Sequence, residues 1–347
     1  MAAEKSFKSI ILFILKLGIA GAVIYFLLLR NPEEILRSLR HCELKYVLAA
    51  AGLYFLHMLI AAWRWGCLAR IPGIRLSHFE AISLSMQGYF FSLVIPGGAI
   101  GGDVVKMGVL AGRTLRGEKF EGVFSILMDR IIGMIALFGM ALLLIPLNYN
   151  TLLNIDIPGI KCERIFPQLI VSGLALLCLA GLAASCVIFF HRLLRKIPLM
   201  DKLMLWGDKF THGMVSRMTA ATDTYSKNKK ELTVLTIVSI FGIHLLTALP
   251  VCLLLSGLGA QYSILTVVTA LTIGNIIGLI PLFPAGLGGR DVTAIAIMTA
   301  GGIASNDAKT AQLVYTAILL IVSLADGLFF VFDRGRKHTK DEPEDKI

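Results

Sequence analysis

Residues 96–106 read PGGAIGGDVVK and follow directly on the apolar run FFSLVI (90–95). Glycines and charges are unusual company for such a run. A second stretch, PAGLGGRDV (284–292), repeats the pattern. Both fit P-x-G-x-x-G-x-D-V: Pro96, Gly98, Gly101, Asp103 and Val104 stand 188 residues before Pro284, Gly286, Gly289, Asp291 and Val292. Gln87 and Asn275 keep the same offset. Five identities at fixed spacing point to an internal duplication, not to chance pairing of glycines.

Each motif interrupts an apolar region, about 79–112 and 263–303. The arms on either side fall short of, or barely reach, the ~20 residues a helix needs to cross a bilayer. Uninterrupted spans are expected at 10–29, 46–69, 121–146, 167–190, 231–256 and 308–332. The 347 residues are 56% hydrophobic and only 16% charged, against roughly 25% charged in soluble domains. Mean hydropathy is +0.77. The expected fold is therefore all-α: a polytopic integral membrane protein with six spanning helices and two re-entrant or broken helical hairpins in an inverted repeat. Residues 1–150 form the first repeat, 151–332 the second, and 333–347 a tail. Three crossings per repeat force the second to insert upside down, which is a transporter architecture.

Lysine and arginine set the orientation. Segment 191–230 carries nine of them and is expected in the cytoplasm, with a helix lying on the membrane surface. The tail, with Arg334, Arg336, Lys337 and Lys340, joins it, so both termini are expected to be cytoplasmic, in the cell (inner) membrane. Loop 30–45, with Arg30, Arg37, Arg40 and Lys45, runs against this rule. Residues 10–29 exceed the apolar core of a signal peptide and read as a retained anchor. The net charge of +10 is spread between apolar windows, which favours anionic lipid headgroups over nucleic acid as partner. Six cysteines without CxxC spacing indicate neither a zinc site nor a disulfide framework. No GxxxxGK[ST] loop occurs, and no cofactor is implied.

Irregular backbone at membrane depth survives only where it is buried in protein or lines a wet cavity. Glycines there leave backbone N–H groups uncovered, and helix N-termini beginning after the break attract anions. The expected substrate site is Gly98, Gly101, Gly102, Asp103, Lys106 and Arg130 with Gly286, Gly288, Gly289, Arg290 and Asp291. The cations would neutralise a phosphate, and the carboxylates would orient them or exchange protons. Each ionisable group costs about 2.5–3.5 kcal/mol at the bilayer centre, so mutual neutralisation, Asp103 with Lys106 and Asp129 with an arginine, is the plainer alternative. His57 and His244 fall in corresponding helices. With Asp129 they offer a proton relay, or are ordinary interior hydrogen-bonding residues. Trp63, Arg64 and Trp65 read as an interfacial anchor, and Asp326 as hydrated near the cytoplasmic end.

The stretches SLVIPGGAIGGDVVK (92–106), MDRIIG (128–133) and PLFPAGLGGRDVTA (281–294) resemble the transmembrane-domain family of lysylphosphatidylglycerol synthases/flippases, the membrane half of the multiple peptide resistance factor. The likeness covers about residues 10–332. It implies movement of a lipid between leaflets. The aminoacyl transfer of that family belongs to a separate soluble domain, and this chain ends 15 residues after Phe332. Ala285 and Asp291 depart from the Pro-Gly-Gly and Arg-Glu usual in the second motif, and Ala99-Ile100 lengthens the first. The expected function is a flippase-like transporter for a phospholipid or a polyprenyl-phosphate-linked lipid. The alternatives are a membrane-embedded lipid-modifying transferase and a membrane partner of a separate synthase.

Overall fold

The computed structural model describes residues 43–95, 99–114, 118–155, 165–190, 195–279 and 289–333. The expected span 10–29 lies outside these residues, as do Gly98, Gly286 and Gly288. Among the described residues every regular element is helical. Among these residues five helices are long and apolar enough to cross a membrane: α1 (Leu44–Arg70), α4 (Lys119–Leu147), α5 (Ile165–Val187, apolar from Pro167), α8 (Lys229–Gly257) and α11 (Ser305–Val331). All five coincide with expected spans. Their outer faces carry bare leucine, isoleucine and phenylalanine, among them Leu143, Leu169, Leu176, Phe241 and Ile321. That much exposed hydrocarbon needs a hydrocarbon solvent.

The two interrupted regions fold as helical hairpins. The first pairs α2 (His78–Val94) with α3 (Ala99–Arg113), and the second pairs α9 (Ile264–Gly278) with α10 (Gly289–Ala300). At 1.5 Å per residue these arms are roughly 18–26 Å long, short of a bilayer core of about 30 Å. A capping box starts α2: Ser77 Oγ accepts Glu80 N at 3.2 Å, and Glu80 Oε2 accepts Ser77 N at 3.0 Å. Glycine lets the arms close. A Cβ on Gly102 would run into the carbonyl of Gly88, and one on Gly274 would stand 2.9 Å from the carbonyl oxygen of Arg290. Positions 102 and 290 are equivalent in the two motifs, while their partners Gly88 and Gly274 differ by two residues from the 188-residue offset, so the two hairpins cross at nearly the same place. Gly102→Leu should therefore lower the melting temperature of the detergent-solubilised protein, by at least the ~1–3 kcal/mol of an overpacked contact; an unchanged melt would mean the arms can separate freely.

The hairpins pack on the long helices in an exchanged pattern. The first lies against α4 through α3 and against α11 through α2. The second lies against α11 through α10 and against α4 through α9. Helix α1 packs on α8, while α5 packs on α4. The largest apolar core joins α1 (Met58), α4 (Leu137), α8 (Leu255), α9 (Ile273) and α11 (Ile318).

Helix α8 is not regular. Residues Ser239–Leu245 form a π-helical turn, a device that often marks functional positions. Between α5 and α8 lie α6 (Pro198–Phe210) and α7 (Met214–Lys227). Leu199, Leu203, Trp206 and Phe210 form an exposed stripe on α6, with Trp206 stacked on Phe210 at 5.7 Å. Lys202 and Lys209 flank the stripe, a pattern suited to a membrane interface. Asp208 accepts the amide and hydroxyl of Ser216 at 2.8 and 2.6 Å, which holds its carboxyl below the usual carboxylate range.

Candidate functional site

At the first hairpin Asp103, on the second turn of α3, meets Arg130 from the middle of α4. Arg130 Nε donates to Asp103 Oδ2 at 2.5 Å and Nη2 to Oδ1 at 2.6 Å. This is the two-pronged geometry that guanidinium offers to carboxylates and phosphates alike. The pair is open on one side: the Arg130 side chain is 47% exposed, that of Asp103 only 14%.

Asp129 faces elsewhere, since successive helical residues are ~100° apart. It takes Arg64 from α1: Nε donates to Asp129 Oδ1 at 2.9 Å, and Nη2 to the Asp129 carbonyl at 3.3 Å. Arg64 Nη1 reaches Ser239 Oγ at 2.7 Å, in the π-helical turn of α8. Arg64 thus ties three spanning helices together. The expected interfacial anchor is corrected here, because Arg64 and Trp65 are buried and only Trp63 is partly exposed. The helix continues to Arg70, which places both residues inside the bundle.

Lys106 also differs from expectation. Asp103 is held by Arg130, while the ammonium of Lys106 donates to Ser85 Oγ at 3.1 Å and stands 3.4 Å from the centroid of the Trp65 ring. The lysine is buried, and Trp65 in turn donates to Ser125 Oγ at 3.2 Å. A cation on an aromatic face, with a hydroxyl acceptor, is a stabilising arrangement in an apolar interior.

The second hairpin builds its charge pair from neighbours. Arg290 donates from Nε and Nη2 to Asp291 Oδ1 at 3.0 and 2.8 Å, and from Nη2 to Thr316 Oγ1 at 3.1 Å. The same carboxylate oxygen accepts Gln312 Nε2 at 2.8 Å and Thr316 Oγ1 at 3.0 Å. Arg290 also lies 5.5 Å from the centre of the Tyr315 ring. Sequence reasoning missed Gln312, Tyr315 and Thr316. Their spacing of three and four residues in an apolar span puts them on one helical face, and that polar face was the available signal.

Two tyrosines stand between the clusters. Tyr54 meets the edge of Tyr315 at 6.0 Å and lies within electrostatic reach of Arg290 and Tyr89. Tyr89 in turn lies near Arg130, Asp129, Arg64 and Asp326. Polar and aromatic groups therefore run from one motif to the other through the bundle. His57 packs beside Tyr54 at 5.7 Å and near His244, but its Nδ1 makes no hydrogen bond of normal geometry among the described residues. His244 Nε2 is satisfied by the Gly133 carbonyl at 3.0 Å. Asp326 is not hydrated as expected: it is 2% exposed, at a break in α11, and its Oδ2 has no hydrogen-bond partner among the described residues.

Comparison with known proteins agrees with this architecture. A UPF0104 membrane protein of Pyrococcus horikoshii is 23% identical over 294 residues, covering 82% of this chain and 86% of its own length. A second UPF0104 membrane protein, from Methanothermobacter thermautotrophicus, is 22% identical over 301 residues, 84% of this chain and 86% of its own. The family described as the lysylphosphatidylglycerol synthase TM region matches residues 13–327, so the hairpins, four of the long helices and all but the last four residues of α11 fall within it. On that match the chain belongs to the lysylphosphatidylglycerol synthase TM-region family of integral membrane proteins.

Proposed function

We propose that the protein carries a phospholipid or a polyprenyl-phosphate-linked lipid between leaflets, with one headgroup station at each hairpin. The observation that carries this reading is the Asp103–Arg130 pair, a two-pronged anion holder left half open inside an apolar span. An arriving phosphate oxygen can replace the carboxylate on the arginine fork, because the two acceptors have matching geometry. Arg290 offers the same fork at the equivalent motif, closed at present by Asp291 and Thr316. Gly102 lets α3 close on Gly88 of α2, and Gly289 brings the start of α10 against Ile277 of α9, so each station is backed by a tightly packed pair of arms. Lys106, buried behind the first hairpin, adds positive potential without touching the headgroup.

The exchanged packing supports an inverted pair of repeats, 1–150 and 151–332. A two-fold operation that swaps α2–α3 with α9–α10 and α4 with α11 turns each hairpin contact into another of the set. The two stations then belong to opposite leaflets, and the tyrosines between them mark the route.

The test is leaflet exchange of a headgroup-labelled phospholipid in vesicles, followed by an impermeant quencher. Wild-type protein should accelerate exchange, and Asp103→Asn with Asp291→Asn should return it to the protein-free rate. An unaltered rate in the double variant removes the carboxylates from the mechanism.

A further inference from the structure

The outer side of the second hairpin carries a groove that the headgroup stations do not use. It lies between α5 and the hairpin, lined by Ile170, Leu174 and Leu177 of α5, Ile273 and Ile277 of α9, and Ile297 of α10. Its cavity volume is about 370 Å³, which is at the lower end of the ~300–1,000 Å³ usual for ligand sites. Its shape has a cause. Helix α5 is pinned to α4 where Gly181 meets the ring of Phe138, so closely that a methyl group at 181 would sit 2.5 Å from a ring carbon. One to three turns before that contact, α5 stands clear of the hairpin, and Gly173 leaves its side of the gap unfilled, with nothing within 4 Å of where a Cβ would be. Thr293 supplies a hydroxyl to the lining, and it is already spent on the carbonyl of Gly289 at 2.8 Å. Among the described residues the side chains lining the groove therefore offer no free hydrogen-bonding group, and its open side faces the apolar α5 surface, where Leu169, Leu176 and Leu179 are bare.

We infer that this groove is a docking site for one hydrocarbon chain of the lipid whose headgroup sits at Arg290. The occupant is a lipid chain rather than a protein segment for three reasons. The surrounding surface is membrane-facing, the lining is apolar along its length, and Thr293 and Arg290 lie within one turn of the same helix. A headgroup at Arg290 and its chain beside Ile297 and Leu174 are thus contiguous. The inference rests on the proposed lipid transport for the identity of the headgroup, but chain binding itself is measurable without transport.

The experiment uses the full chain in nanodiscs of phosphatidylethanolamine and phosphatidylglycerol, with a little phosphatidylglycerol bearing a diazirine at mid-chain. Illumination should label peptides containing 170–177 and 273–297 above the equally lipid-facing Leu48 and Phe55 of α1. Gly173→Phe, or Gly173→Leu if the larger ring lowers the melt, should reduce groove labelling about tenfold by displacing buried methylenes. Label spread evenly over all spanning helices would overturn the inference, as would unchanged labelling in a well-folded filled variant. Cross-links from α5 to α5 of a second copy would overturn it too, by making the groove an interface. Labelling without leaflet exchange would sink the transport reading and leave the chain site standing.

Discussion

Arg64→Met should cost the protein roughly 3–5 kcal/mol, the penalty for leaving one partner of a buried ion pair uncompensated. Arg64 holds Asp129 at its side chain and its carbonyl, and holds Ser239 across the bundle. Without it, a carboxylate only 14% exposed faces an apolar interior, and α1, α4 and α8 lose their common tie. Thermal unfolding in nanodiscs would register the loss. Adding Asp129→Leu should restore much of it, since removing both charges is far cheaper than removing one. A single-variant loss below about 1 kcal/mol, typical of surface pairs, would instead mean that water reaches the site.

The second large effect separates two arginines that the sequence treats alike. Arg130→Gln should cost less stability than Arg290→Gln, because the Arg130 side chain is 47% exposed and its replacement can still donate a hydrogen bond to Asp103, itself only 14% exposed. Leaflet exchange should nevertheless fall about ten- to a hundredfold, the equivalent of losing one charge-assisted hydrogen bond of ~1.5–3 kcal/mol. Arg290→Gln should lose both exchange and stability, the latter by roughly 3 kcal/mol: its side chain is 7% exposed and it serves Asp291 and Thr316 together. Parallel melts and exchange rates decide the matter. Equal melting of the two variants would contradict the contrast in burial.

The hairpins and the five described spans were legible because they depend on chain-local quantities: apolar run length, interruption by glycine, and a repeated motif. Charge partners were less so. Reading Asp103 against Lys106 uses spacing within one helix. The close approach of Gly102 to Gly88 draws α3 onto α2, and Lys106 sinks between them, its Cδ 3.7 Å from where a Gly88 Cβ would be. Asp103 is left facing α4, where Arg130 waits. Trp63-Arg64-Trp65 looked like a border because aromatic and basic residues gather at borders. Only the packing of α4 and α8 beside α1 reveals Asp129 and Ser239 as the interior acceptors of Arg64. The residues around Asp291 come from a helix some twenty positions later, and no periodicity in the motif itself announces them.

The π-helical turn at Ser239–Leu245 contains one residue more than an α-helix would need there. Everything after it is consequently rotated by about 100° relative to everything before. Leu235 and Ser239 face inward on one phase, Val251, Leu254 and Leu255 on another. A single helical wheel drawn through α8 blurs these two inward faces into one indistinct band, and the helix then looks like unpatterned grease although each segment keeps its own orderly seam.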